Sequence, residues 1–326
     1  MAVVGGGANP EHEVALRGAA AVSAALAEAG HDPVPLTIGR DGVWHDAAGP
    51  LGDSPAASLA TALGLLAGCD AAFPVLHGTR GEDGSAAALL DLAGVPAVGC
   101  GVRAGAIAMD KHATKALARS LGIGVVEAAL VLPGAPVPQV ALPAVVKPTT
   151  AGSSFGVALV ERAADLPGAV AAAAALGDAV LVERYVRARE VHVAVLQRPD
   201  GTLLVPPVLE FAKPDGVLFD TSRKYETGVV PLLPAPLADG LRPRLEAAAL
   251  ALFRALGCAG LSRFDFFLTD DGFLLNEVNT MPGMTAQSGF PMMCAAAGLP
   301  YPALVAELVE TALAATPAAS GAALSR

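Results

Sequence analysis

Two short patterns near the C-terminal end carry oxygen ligands at strand spacing. Arg263-x-Asp265 lies in the run Leu261-Ser262-Arg263-Phe264-Asp265-Phe266-Phe267-Leu268, and Glu277-x-Asn279 follows the turn Asp270-Asp271-Gly272. Residues two apart in a strand project from one face, so a hairpin can bring Asp265, Glu277 and Asn279 to one place. Two carboxylates and an amide oxygen are hard ligands, suited to magnesium carrying nucleotide phosphates. A surface hairpin would use the same residues, but the strand around Asp265 is too apolar to be freely exposed.

Phosphates would need cations and N–H groups nearby, and the net charge of -10 makes single lysines informative. Lys147-Pro148 closes a predicted strand and leads into Ala151-Gly152-Ser153-Ser154-Phe155-Gly156. Such a small-residue loop can lay backbone N–H groups over phosphates, although it is not a Walker A loop opening a helix. Lys111, in Met109-Asp110-Lys111, reads on its own as an ordinary first-turn lysine. Glu190 reads equally as a ligand or as a partner of Arg187 or Arg189, and Glu11 could simply complement a helix dipole. Ser288 stands where a helix N-cap would. Gly5-Gly6-Gly7 is not a dinucleotide fingerprint, because Pro10 takes the third glycine position and no acidic residue ends the second strand.

The elements that would position these groups alternate strand and helix at first. Val3-Val4, Val34 to Ile38, Ala71 to Leu76 and Val95 to Val98 are predicted strands of a parallel sheet, with Ala-rich helices between them. Asn9 and Pro10 supply an N-cap and first-turn pair for a helix ending near Ala29. This α/β lobe spans 1–102. A helix over Asp110 to Leu121 follows, then short strands at Ala144 to Lys147, Val157 to Val160 and Val180 to Glu183, in a second unit over 103–185. The third unit, 186–315, has strands at Val191 to Leu196 and Leu203 to Leu209, an irregular stretch from Lys213 to Pro236, a helix from Asp239 to Leu256, the hairpin, and two last helices. Irregular stretches of that length are functional lids or disorder. Residues 316–326 are expected to fray.

Composition bounds the class. With 53% hydrophobic and 16% charged residues, the chain is globular rather than disordered. No run reaches the roughly 18 apolar residues of a membrane span. No basic n-region precedes Val3, so no signal peptide is expected. Cys69, Cys100, Cys258 and Cys294 form no C-x-x-C pair and read as buried reduced thiols of the cytosol. The nearest thing to a basic cluster, Arg184, Arg187 and Arg189, is bracketed by Glu183 and Glu190, which argues against nucleic-acid binding.

The segment Arg263-Phe264-Asp265 with Asn276-Glu277-Val278-Asn279-Thr280-Met281-Pro282-Gly283-Met284-Thr285 resembles the C-terminal signature of D-alanine–D-alanine ligases, members of the ATP-grasp superfamily. Other motifs resemble the family in its order, to about residue 312. The resemblance implies an α/β fold, an N-terminal parallel-sheet lobe plus a two-subdomain ATP-grasp unit. It implies two magnesium ions, replaceable by manganese, on Asp265, Glu277 and Asn279, with Arg263 and the Gly283 N–H as the oxyanion hole. Lys111, Lys147 and Ser154 would hold phosphates, Glu183, Tyr185 and Val186 the adenine hinge, and Glu190 the ribose. Glu11 would grip the ammonium of the first D-alanine, His77 in Leu76-His77-Gly78-Thr79-Arg80-Gly81-Glu82-Asp83-Gly84 would lie by its carboxylate, and Ser288 would hold the second carboxylate. Phe219-Asp220-x-x-x-Lys224-Tyr225 resembles the omega-loop: Lys224 would approach the transferred phosphate, and Tyr225 would hydrogen-bond with Ser153 and Glu11. Many relatives have an acidic residue at Ala151, and Phe219 replaces a common tyrosine. Relatives that use D-lactate usually lack the tyrosine of the Lys-Tyr pair. The resemblance further implies a cytoplasmic homodimer serving peptidoglycan precursors.

Overall fold

The computed structural model describes residues 1–152, 155–176, 179–212 and 230–315. The chain starts with β1 (Ala2–Gly6), α1 (His12–Glu28), β2 (Val34–Ile38), β3 (Trp44–Asp46), β4 (Gly49–Pro50), α2 (Pro55–Ala67), β5 (Ala72–Pro74) and α3 (Ser85–Leu92). The strands form one sheet in the order β4-β3-β2-β1-β5. Only β2, β1 and β5 run parallel; β3 and β4 add an antiparallel edge that the sequence did not announce. The strand expected at Val95 to Val98 shrinks to one bridge between Ala72 and Ala97. Pro96 explains this, since its ring removes a ladder donor while its C=O still accepts from the Ala72 N–H at 2.8 Å. Helix α1 also starts later than predicted: Asn9 Oδ1 accepts the Glu11 N–H at 2.9 Å, an Asx-type turn ahead of the helix rather than its cap.

The middle of the chain holds α4 (Val102–Met109), α5 (Lys111–Ser120), β6 (Ala128–Val131), β7 (Ala144–Pro148), β8 (Ala158–Val160), α6 (Leu166–Ala174) and β9 (Val180–Arg184). Four of these strands pair antiparallel in the order β6-β9-β7-β8 and pack α6 through Val146, Val160, Val170 and Val182. Strand β6 was not predicted, and the break between α4 and α5 falls at Asp110, whose carboxylate caps α5 by accepting from His112 and Ala113 N–H.

The last part contains β10 (Arg189–Gln197), β11 (Leu203–Leu204), β12 (Leu209–Ala212), β13 (Val230–Leu232), α7 (Leu241–Leu256), β14 (Leu261–Thr269), β15 (Gly272–Asn279), α8 (Gly289–Ala296) and α9 (Tyr301–Ala315). Its sheet runs β13-β12-β10-β14-β15, with β11 pairing on β10. The strand expected over Leu203 to Leu209 is split in two, because Pro206 and Pro207 cannot donate to a ladder.

Two cores tie these parts together. Val3, Leu26 and Phe73 of the first sheet and α1 share one apolar cluster with Leu196, Leu261, Met281, Phe290, Leu304 and Leu308. Helices α4 and α5 join a second cluster with β10, β14, β15 and α7. Truncating a fully buried leucine of this cluster such as Leu26 to alanine should cost about 2–5 kcal/mol. Cys258 and Cys294 are buried as expected, whereas Cys69 and Cys100 are partly exposed; all four are free.

Candidate active site

The hairpin delivers its ligands through register. Asp265 pairs with Glu277, Arg263 with Asn279, and on the other side of β14 His192 pairs with Asp265. The ladder then jumps from Asp265–Glu277 to Phe266–Leu275, so Asn276 is an extra, bulged residue. The bulge changes the phase of β15: Leu275 and Val278, three apart, both enter the core, while Glu277 and Asn279 stay on the face of Asp265.

Asp265 is essentially inaccessible and fully engaged. Arg263 Nε and Nη2 donate to its two oxygens at 2.7 Å each, and Asn279 Nδ2 donates to Oδ2 at 3.1 Å. Burial alone would make the Arg263 guanidinium more acidic, but the Asp265 carboxylate, with Glu277 and Glu190 beyond it, drives it the other way. Arg263 is therefore a fixed cation. The oxygens of Asp265 and Glu277 and the amide of Asn279 fit a hard divalent cation by donor type and by shared face. A second grouping overlaps it: Glu190, His192 and Asp265 bring ligand atoms within 4.8 Å of one another. His192 was not singled out from the sequence. Glu190 is not the partner of Arg189, which forks onto Glu210 instead.

The lysines gather on one carboxylate. Glu183 meets Lys147 at 2.9 Å and Lys115 at 3.0 Å, all three nearly inaccessible. Burial would raise the Glu183 pKa, but the two ammonium groups hold it below the ordinary carboxylate range. Lys115, which sequence reasoning missed, is pushed down to about 8, chiefly by burial. Lys147 Nζ also approaches Asn276 Oδ1 at 3.4 Å, linking this group to the hairpin bulge. Lys111 Nζ donates to Ala151 C=O at 2.6 Å, at the start of the small-residue loop. Burial lowers its pKa, with Glu277 opposing, so it lies within electrostatic reach of the hairpin. In the expected hinge, the backbone of Glu183 belongs to β9 and the Tyr185 N–H donates to Pro143 C=O at 3.1 Å.

The third group surrounds Glu11, at the end of the β1–α1 turn. Asn9 Nδ2 stitches that turn to the 77–84 loop by donating to His77 C=O at 2.9 Å and Thr79 C=O at 3.1 Å. Gly78, at φ +66, and Gly152 both lie against the Glu11 carboxylate; a Cβ on either would come within 2.3 and 2.7 Å of Glu11 Oε2. At Gly78 the positive φ also favours glycine, while at Gly152 a Cβ would push the Glu11 carboxylate aside. Ser153 and Ser154 follow Gly152 directly but lie outside the described residues, as do Phe219, Asp220, Lys224 and Tyr225.

His77 is buried, and its Nδ1 faces Met281 C=O at 3.0 Å. A carbonyl only accepts, so the proton sits on Nδ1, and Nε2, which has no hydrogen-bond partner among the described residues, carries a lone pair. Burial holds the ring pKa down to about 4. Gly283 lies against Ser288, and a Cβ there would meet Ser288 Oγ at 3.0 Å. Ser288 occupies the N-cap position of α8, yet its hydroxyl turns back to Thr285, accepting from the N–H at 3.2 Å and contacting Thr285 Oγ1 at 2.8 Å.

Buried lysines beside a hard-ligand hairpin fit a site for a metal-bound nucleotide, and the fold is shared with ATP-grasp ligases. The family models described as D-ala D-ala ligase N-terminus and D-ala D-ala ligase C-terminus match residues 1–100 and 133–310. The chain belongs to the D-alanine–D-alanine ligase family. It is 37% identical to the D-alanine–D-alanine ligase of Nocardia farcinica, over 96% of this chain and 97% of that one. With the ligase of Mycolicibacterium smegmatis it shares 41% identity over 77% of this chain and 70% of the relative. Among solved structures, the VanG D-Ala:D-Ser ligase of Enterococcus faecalis superposes with a TM-score of 0.79 at 31% identity, covering 95% of this chain and 98% of its own.

Proposed function

We propose that this ligase joins two D-alanines with hydrolysis of ATP to ADP and phosphate. The observation that carries this reading is the Glu11 carboxylate lying against Gly78 and Gly152, an anion for an ammonium beside the loop expected over the phosphates. In the first step the carboxylate of the first D-alanine attacks the γ-phosphorus of ATP, giving an acylphosphate and ADP. The amine of the second D-alanine then attacks the acyl carbon and phosphate leaves. Glu11 at the ammonium and His77 beside the carboxylate orient the first amino acid; Arg263 and the Gly283 N–H steady the oxyanion; Ser288 holds the second carboxylate. Lys111, Lys147 and, by expectation, Ser154 and Lys224 hold phosphates, with adenosine on Tyr185, Val186 and Glu190. Ser153 and Tyr225 close over Glu11. Two magnesium or manganese ions on Asp265, Glu277 and Asn279 would neutralise charge on the transferring phosphoryl group. The enzyme is proposed to work as a cytoplasmic homodimer that supplies peptidoglycan precursors.

The likeness to a D-Ala:D-Ser ligase supports a second reading in which D-serine is the second substrate. An ADP-release assay supplying D-alanine with D-alanine, D-serine or D-lactate decides between them. Faster turnover with D-serine or D-lactate than with D-alanine would overturn the first reading. Glu277→Gln and Lys147→Ala should each lower turnover by more than about 10²-fold, and near-normal ADP formation in either would reject these roles.

A further inference from the structure

The peptide of Met281, two residues before Gly283, is gripped from both sides by the N-terminal lobe. Its N–H donates to Glu82 Oε1 at 3.2 Å, and its C=O accepts from His77 Nδ1 at 3.0 Å. The other Glu82 oxygen, Oε2, accepts the Gly78 N–H at 3.0 Å. Thr280 Oγ1 approaches Glu82 C=O at 3.4 Å, and Tyr301 OH donates to Met284 C=O further along the same turn. One carboxylate thus bridges the loop that backs Glu11 and the turn that carries the oxyanion donor.

We propose that Glu82 is a positioning residue of the ligase reaction: its carboxylate fixes the Met281 peptide, and with it the Gly283 N–H, and this hold tightens when an ammonium occupies Glu11. The first half follows from geometry. A charged carboxylate accepts both N–H groups well, whereas protonation turns one oxygen into a donor and weakens one of the two bonds. The second half follows from the charges around the group. Glu11 faces Glu82 across Gly78, Arg263 lies on the hairpin side, Lys111 lies within electrostatic reach from α5, and His77 is neutral. Burial first, and then the charge of Glu11, push Glu82 up to about 7. An ammonium on Glu11 cancels the repulsive part, so amino-acid binding draws a proton from Glu82 and strengthens its grip. This second half rests on the reading of Glu11 as the ammonium site.

Calorimetric titration of the full-length enzyme with D-alanine, in saturating ADP and magnesium, tests it in two buffers of different ionisation heat. The wild type should release up to about half a proton per D-alanine at pH 7, and Glu82→Gln none. Absence of release in the wild type, or equal release in both proteins, overturns the coupling. Misplacing the Gly283 N–H should lower kcat of Glu82→Gln by about 10²-fold with KM for ATP unchanged, and Glu82→Asp should recover part of it. Unchanged kcat in a folded Glu82→Gln overturns the positioning role. If the wild type forms no D-alanine-dependent ADP, the substrate reading itself fails, and that result is separable from both.

Discussion

At the scale of single residues, Glu183 has the most demanding surroundings in the site. It is one buried anion between two buried cations, Lys115 and Lys147, and its neutralisation would leave two ammonium groups without a counter-charge between them. Removing Lys115 instead leaves a matched Glu183–Lys147 pair. Glu183→Gln should therefore destabilise the fold by about 3–5 kcal/mol in urea unfolding at pH 7, and Lys115→Met by clearly less. The reverse order would show that Lys115, not Glu183, anchors the group. Lys147 was legible from its place before a small-residue loop, but Lys115 was not. Its signal was its position four residues after Lys111: the buried face of α5 carries Lys111, Thr114, Lys115 and Ala118, two lysines on a face that packing alone would make apolar. Glu82 was equally hidden, because an acidic residue in a glycine-rich loop reads as solvated until its two backbone donors are seen.

At the scale of elements, the hairpin of β14 and β15 was readable because an apolar run, an Asp-Asp-Gly turn and two spaced polar pairs fall together. What could not be read was the bulge, since no local residue type demands it. The departures elsewhere have local causes of the same kind: Pro96 and the Pro206-Pro207 pair remove donors from ladders that apolar content alone predicted. The bulge has a specific consequence. With Asn276 deleted, Leu275 would directly precede Glu277, and the existing pairs Asp265–Glu277 and Phe266–Leu275 would become neighbours in a regular ladder. Leu275 and Val278 would still point inward and Glu277 and Asn279 toward the site. The deletion should thus cost no more than about 1–2 kcal/mol and keep metal binding by calorimetry, while KM for ATP rises as Lys147 loses its contact with Asn276. Loss of the folded state would mean that the bend of the bulge, rather than the phase it sets, is what the hairpin needs.

At the scale of the whole molecule, the junction between lobes carries two groups, buried His77 and half-buried Glu82, whose protonation works in opposite directions. Glu82 is raised from 4.5 to about 7, so the folded state binds its proton more tightly; stability from this group is full below pH 4.5 and is lost as pH rises through 7. His77 is lowered from 6.5 to about 4, so the unfolded state takes up the proton first; stability is lost as pH falls from 6.5 through 4. The windows overlap between pH 4.5 and 6.5. In the wild type the two slopes oppose each other across that window. Removing one should expose the other. Relative to wild type, Glu82→Gln should gain stability with rising pH over the window and His77→Gln should lose it, as read from urea midpoints at pH 4.5 and 6.5. Parallel pH dependence in all three proteins would show that neither group is perturbed by the junction. Opposite slopes would place the docking of the N-terminal lobe on the Met281 turn under the control of one carboxyl and one imidazole, both of which bond the backbone of the same residue.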